Sequence, residues 1–311
     1  MNHGLSRPRI EDHVTRLRAA QLYRPPVNIR QARAQAVPFR DDELMEGPHS
    51  CSAADFDMPC LRRCPFNLAD IDWESSSRLG GGLDGYVWKV WFKGDEPFVL
   101  KVFWDAEPPE FYHYFAVQRE CQNAAHIQMM ETAVKRASAD SASILVKAKP
   151  ETKYDALDNI HAFSTEGRDL WASVEASEVT AITSIPRMRK CYGWLKFNGQ
   201  TFLNMPPKLW APSLIINKIN RNFSPDKEYF AIVYEFVEEG ENDPATVEKV
   251  DEFLWLSGFG HNSSPLEKNW KSGVLIDLSD IVHAGGLGWS PKSYGARPAN
   301  RILRPTRGCR S

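Results

Sequence analysis

Gly80, Gly82 and Gly85, with Val87 two places on, set the pattern G-x-G-x-x-G-x-V within Leu79-Gly80-Gly81-Gly82-Leu83-Asp84-Gly85-Tyr86-Val87. Glycine suits these places because a backbone without Cβ atoms turns tightly between two strands and brings its N–H groups against phosphate oxygens. Taken alone, the segment fits a Gly-rich hairpin turn just as well. Lys101 adds a second observation, because it interrupts the apolar run Phe98-Val99-Leu100-Lys101-Val102-Phe103, where an ammonium requires an anion. Glu120 supplies a candidate: Ala116, Val117, Ala124 and Ile127 lie at i−4, i−3, i+4 and i+7 from it, on the helix face that should be buried. A strand lysine and a helix glutamate relieve each other's desolvation only by pairing. The alternative is a lysine snorkelling at a strand edge beside a glutamate at the boundary of its helix face. A further acid, Asp277, ends the short apolar run Gly273-Val274-Leu275-Ile276.

The elements that must position these groups are legible around them. Tyr86 to Phe92 alternates, Lys93-Gly94-Asp95-Glu96-Pro97 has turn chemistry, and Phe98 to Trp104 reads as a buried second strand. After Pro108-Pro109, residues Glu110 to Arg136 contain no Gly or Pro and repeat apolar residues at helical spacing, which predicts one long helix. Lys190 to Phe197 and Tyr229 to Val237 predict two more strands, separated by the Pro-containing stretch Met205 to Pro212. Pro244 to Leu256 predicts a helix, and Gly273 to Leu278 a short buried strand. Residues 138–180 are polar and weakly periodic, which predicts a surface insertion with a short helix from Arg168 to Ala176.

The chain has 311 residues, 42% hydrophobic and 25% charged, enough to bury a sizeable core and to exclude a wholly disordered protein. The formal net charge of −2 conceals opposed segments. Residues 1–40 hold eight arginines against Glu11 and Asp12, and residues 281–311 hold Lys292, Arg297, Arg301, Arg304, Arg307 and Arg310 with no acid. Residues 1–66 therefore read as a basic, mostly irregular extension with one helix over Ile10 to Leu22. Residues 67–281 read as the folded domain and 282–311 as a basic Gly/Pro/Arg-rich tail. Flexible basic ends can contact nucleic acid electrostatically, although such tails are often simply solvated. Six cysteines without a disulfide framework suit the cytoplasm or nucleus. Cys51, Cys60 and Cys64 with His49 lack the paired spacing of a zinc site. No apolar run long enough for a membrane span appears, and the N-terminal residues do not form a secretory signal.

From Trp73 to Ala137 the order of glycine loop, strand, lysine-bearing strand and glutamate-bearing helix resembles the N-terminal lobe of protein kinases. The resemblance implies an α+β fold: a twisted antiparallel sheet plus one long helix, with a much reduced C-terminal lobe. It implies a site for ATP with Mg2+, in which Gly80, Gly82, Gly85 and Val87 cover the phosphates and Lys101, held by Glu120, contacts them. Ile232-Val233-Tyr234-Glu235-Phe236-Val237 resembles the last strand and hinge of that lobe, which places Glu235 among the nucleotide-binding residues and Tyr234 at the back of the adenine pocket. Asp277 resembles the metal-binding aspartate of D-F-G, with Leu278 and Ser279 replacing the Phe and Gly.

Other features depart from the family. Gly258-Phe259-Gly260-His261-Asn262-Ser263-Ser264 stands where the catalytic loop belongs and contains no aspartate to serve as general base. Asn269 is a candidate second metal ligand or a surface asparagine. The 34 residues from Leu278 to Ser311 are too few for an activation segment and its following helices, which fits either a minimal fold or a truncated chain. A closer resemblance is to a fungal family of kinase-like subunits of an inner-kinetochore assembly, the Sim-four complex. It rests on Arg119-Glu120-Cys121, Cys191-Tyr192-Gly193-Trp194 and Asn269-Trp270-Lys271-Ser272-Gly273-Val274-Leu275-Ile276-Asp277. It implies a nuclear, centromere-associated scaffold with protein partners in a multi-subunit assembly. Three functions follow as expectations: a catalytically impaired interaction module, an active atypical phosphotransferase, or an α/β protein whose glycine loop is coincidental.

Overall fold

The structure, a computed structural model, describes residues 36–94, 96–109, 114–216, 218–262 and 265–305. The helix expected over Ile10 to Leu22 lies outside them. The fold is mixed α+β, built on one seven-stranded sheet. Its strands are β1 (Arg40–Leu44), β2 (Leu61–Arg63), β3 (Ser77–Gly81), β4 (Gly85–Trp91), β5 (Pro97–Phe103), β8 (Cys191–Asn198) and β11 (Glu228–Glu235). They lie in the order β1-β2-β8-β11-β5-β4-β3. The five strands from β8 to β3 are antiparallel, whereas β1 and β2 join in parallel. The sheet is therefore mixed, not purely antiparallel.

Burial on both faces explains the continuous apolar run of β5. Val99, Phe103, Ile232 and Tyr234 pack with Val117, Cys121 and Ile127 of the long helix α2 (Ala116–Ala139). Leu100, Val102, Ala231 and Val233 point the other way, into an aromatic layer with Trp88, Phe197 and Tyr229. Strand alternation thus turns Lys101 towards α2, in register between Val87 and Ile232. Helix α2 starts at Ala116, because Phe115 is still extended at φ −103° and ψ 110°. Helix α4 (Pro244–Leu256) has the expected bounds: Pro244 opens it and the Asp243 carboxylate accepts the Thr246 N–H at 2.9 Å.

Three expectations are corrected. The extension over residues 1–66 is folded from Arg40 onward: β1, β2 and the intervening α1 (Ala53–Asp57), with its Ser52/Asp55 capping box, bury Cys51, Phe56, Leu61 and Cys64. The polar insertion forms a hairpin, β6 (Ile144–Lys147) with β7 (Val179–Ile182), and a helix α3 (Lys153–His161). Ile144, Val146, Ile160 and Phe163 join the core beside α2, while Arg168 to Ala176 is turn, not helix. The basic tail is packed as far as α5 (Ala299–Ile302), which buries Ile302 and lies on α4. Buried Asp251 anchors it by accepting the Arg297 N–H at 2.6 Å and facing His261 at 2.5 Å. Asp251 lies on α4 and His261 ends β12 (Phe259–His261), which pairs with β15 (Ile281–His283). Smaller hairpins, β9 (Leu214–Ile216) with β10 (Ile219–Arg221) and β13 (Trp270–Lys271) with β14 (Val274–Leu275), complete the fold. Among the described residues no helix is long and apolar enough to cross a membrane.

Gly193 is where β8 accepts β2. Its φ is +113°, and a Cβ there would stand 2.6 Å from both the Arg62 carbonyl oxygen and the Cys64 nitrogen. Gly193→Ala is expected to cost about 1–3 kcal/mol from its backbone conformation alone. The check is the midpoint of urea unfolding at constant slope; an unchanged midpoint would show that the β2–β8 contact is not made in solution.

Candidate functional site

A cleft of about 280 Å³ opens between the β3–β5 end of the sheet and the β13–β14 hairpin. Gly80, Gly81 and Gly82 form its lip, Val87, Val99 and Lys101 one wall, and Asn269, Ile276 and Asp277 the other. The lip is held by the Trp104 indole, which donates to the Gly82 carbonyl at 2.9 Å. Lys101, from the middle of β5, reaches the head of the cleft. There its ammonium pairs with the Glu120 carboxylate and, at 3.1 Å, with Asp277 Oδ1. Glu120 lies on the inner face of α2, and its second oxygen accepts the Tyr234 hydroxyl at 2.8 Å. Both oxygens of this buried carboxylate thus have a donor, from β5 and from β11, which is what lets it remain at 1% exposure.

Asp277 follows β14 and caps the next turn: its Oδ1 accepts from the Ser279 amide at 3.2 Å and hydroxyl at 2.9 Å. Burial pushes this carboxyl up, but Lys101 and Ser279 outweigh burial and hold it below its ordinary value. Burial pulls the Lys101 ammonium down; the Asp277 and Glu120 carboxylates outweigh that too, so Lys101 stays charged. Burial also pushes Glu120 up, to about 7, against the pull of Lys101.

Asn269 stands beside Asp277 in the cleft wall. Its amide donates to Asp280 Oδ2 at 2.5 Å, while Asn262 donates to Asp280 Oδ1 at 2.7 Å. A carboxylate that takes two side-chain amides orients both, and it turns the Asn269 Oδ1 away from itself. Burial and the charge of Asp277 push Asp280 up to about 6. Asp277 and Asn269 are oxygen donors of the kind that suits Mg2+ on a bound polyphosphate.

Three residues of the site carry little or no signal in the sequence. Asp84, inside the glycine segment, comes within 4.8 Å of the Glu120 and Asp277 carboxylates and accepts the Tyr114 hydroxyl at 2.7 Å. Asp280 stands three places after Asp277, a spacing that is visible but matches no pattern. Arg189 precedes β8 and lines the cleft from a buried position. Its partners are backbone carbonyls far along the chain, for which no sequence signal exists.

Two expected site residues are placed elsewhere. Glu235 does not line the cleft: its carboxylate takes Arg187 at 2.8 and 3.3 Å and the Lys190 N–H at 3.0 Å. Strand alternation explains this, since Tyr234 points to the core and its neighbour must point outward. Gly85 is a packing glycine instead of a lip residue, because a Cβ there would lie 2.3 Å from the Val102 carbonyl of the adjacent strand. Cys51, Cys60 and Cys64 are free, and among the described residues the one cluster of three or more His, Cys, Asp or Glu side chains close enough to share a metal ion is Asp84, Glu120 and Asp277. Compared with known proteins, the chain matches no family model, no curated protein and no solved structure.

Proposed function

We propose that the chain is a protein-kinase-like interaction module that keeps a polyphosphate site, for ATP with Mg2+, and does not transfer the phosphoryl group. The observation that carries this reading is the buried Lys101, clamped by Glu120 and Asp277 at the head of a glycine-lipped cleft. Lys101 would meet the phosphates, Gly80 to Gly82 would cover them, and Asp277 with Asn269 would hold the metal. Bound magnesium would supply charge neutralisation, and the residues here supply position. Transfer also needs a carboxylate that accepts the acceptor hydroxyl's proton. His261 and Asn262 are committed to Asp251 and Asp280, and both oxygens of Asp280 are occupied by amides. That commitment favours binding over the alternative, an active atypical phosphotransferase.

A scaffold role at the kinetochore in the nucleus, among protein partners, belongs to the same proposal and is supported by the sequence phrases alone. Contact of the basic ends with nucleic acid is its electrostatic counterpart. The deciding experiment is single-turnover transfer from labelled ATP with Mg2+, to the chain itself and to generic acceptors, beside a calorimetric titration. The expected result is binding that Asp277→Asn weakens at least tenfold, with no labelling above that of the variant. Robust labelling abolished by Asp277→Asn would establish the phosphotransferase. No binding at all would leave the glycine lip a coincidence.

A further inference from the structure

Val87, Val99, Phe236, Val237 and Ile276 give the cleft its apolar lining, and the flat base of a nucleotide would lie among them if Lys101 holds its phosphates. Arg189 is already there. Its guanidinium packs 4.4 Å from the centre of the Tyr234 ring. Its Nε donates to the Glu235 carbonyl at 3.3 Å and its Nη1 to the Ile276 carbonyl at 2.5 Å. These carbonyls belong to opposite walls, the end of β11 and the residue after β14, so one planar cation bridges the slot and uses the acceptors that an exocyclic amine would need. The Glu235 side chain, turned outward to Arg187, leaves its carbonyl as that position's inward-facing polar group. The remaining cavity, about 280 Å³, falls just below the roughly 300–1,000 Å³ usual for small-molecule sites.

We infer that Arg189 fills the base half of this cleft, so that the site recognises a metal-bound polyphosphate whatever base it carries. The inference rests on the nucleotide reading above and sharpens its ligand class: Lys101 reads charge, and Arg189 denies the base a place. A guanidinium fits this role better than a lysine would, because a planar fork spans two carbonyls and stacks on a ring in one orientation.

The test is calorimetry on the full chain with Mg2+ and, separately, tripolyphosphate, ATP, GTP and adenosine, repeated with Arg189→Ala. The wild type is expected to bind tripolyphosphate, ATP and GTP within about threefold of one another, and adenosine not at all, since only the shared phosphates are held. Arg189→Ala frees both carbonyls and the face of Tyr234, so ATP should then bind at least tenfold more tightly than tripolyphosphate, and adenosine should become measurable. Failure of the variant to develop this base preference, while its circular dichroism matches the wild type, overturns the inference. So does wild-type ATP binding tenfold tighter than tripolyphosphate, a result that needs no variant and therefore decides the matter even if Arg189→Ala does not fold. That second outcome leaves the nucleotide reading intact, whereas absence of binding by every probe to both proteins removes the reading and the inference together. Binding of ATP to Arg189→Ala alone overturns the inference as well, because a wild-type cleft that takes no tripolyphosphate is not a polyphosphate site.

Discussion

Glu120→Ala is expected to lower the stability of the folded chain by about 3–5 kcal/mol, the cost of removing one partner from a buried ion pair. The size follows from what is stranded. Lys101, 8% exposed, loses its closest anion, and the Tyr234 hydroxyl, 1% exposed, loses the carboxylate it donates to, both inside the layer between the sheet and α2. Asp277 at 3.1 Å still faces Lys101, so the loss belongs at the lower end of that range unless Asp277 is also replaced. Glu120→Gln is the informative companion. It keeps the volume and an oxygen for one neighbour, and should recover roughly half the loss if hydrogen bonding, not charge, dominates. Urea unfolding with an unchanged slope reads the difference directly. By contrast, Lys93→Ala, which removes an ammonium paired with Asp70 at 79% side-chain exposure, should cost well under 1 kcal/mol. A Glu120→Ala loss no larger than that of Lys93→Ala would mean that the clamp is solvated and that the cleft has no preorganised head.

The clamp is legible in the sequence because it breaks a local rule: a charge in an apolar strand and another on an apolar helix face each demand a partner. The β4–β5 hairpin, β8, β11 and α4 are legible for a related reason, since period and turn chemistry act within a few residues. What stays hidden depends on distant pairing. Strands β1 and β2 add to the sheet in parallel, where no hairpin turn announces the neighbour, and β2 touches β8 only where Gly193 permits it. The β6–β7 hairpin encloses α3 and a run of turns, so its two short apolar strands lie far apart in the chain and read as scattered exceptions in a polar stretch. Glu235 shows the same limit from the other side. The phrase around it marks the right strand end, but only the pleat decides which neighbour faces the cleft, and the Glu235 carbonyl is held by Arg189. A one-residue uncertainty in a strand reverses the facing of every side chain in it.

Acid should expose a second weakness, in the layer where α2 meets β15. His126 and His283, at 0% and 5% exposure, have ring centres 4.6 Å apart. His126 donates from Nε2 to the Phe56 carbonyl at 2.9 Å, while its Nδ1 has no partner among the described residues, as suits a neutral ring. Burial holds His126 down at about 4 and His283 well below the ordinary histidine value; a proton on His126 would further repel one on His283. Arg119 and Lys153 push His283 the same way, His161 pushes His126 down, and Asp57 pulls His126 weakly back. The sign follows: below about pH 6.5 the unfolded chain takes up protons that the folded chain refuses, so this stabilisation is present at neutral pH and lost as pH falls. For His126 alone, a shift from 6.5 to about 4 amounts to about 2 kcal/mol lost by pH 5 and about 3 kcal/mol by pH 4. Glu120 and Asp280 work in the opposite direction, because their raised carboxyls bind protons in the folded state first. The wild-type profile therefore mixes both trends, and the histidine part must be read as a difference. In His126→Gln an amide can still donate to Phe56 but does not titrate, so its deficit relative to wild type at neutral pH should shrink by about 2 kcal/mol at pH 5. Urea unfolding at the two pH values gives that difference. A deficit that stays constant with pH would show that His126 is protonated in the folded state, and with it that the α2–β15 layer is open to water.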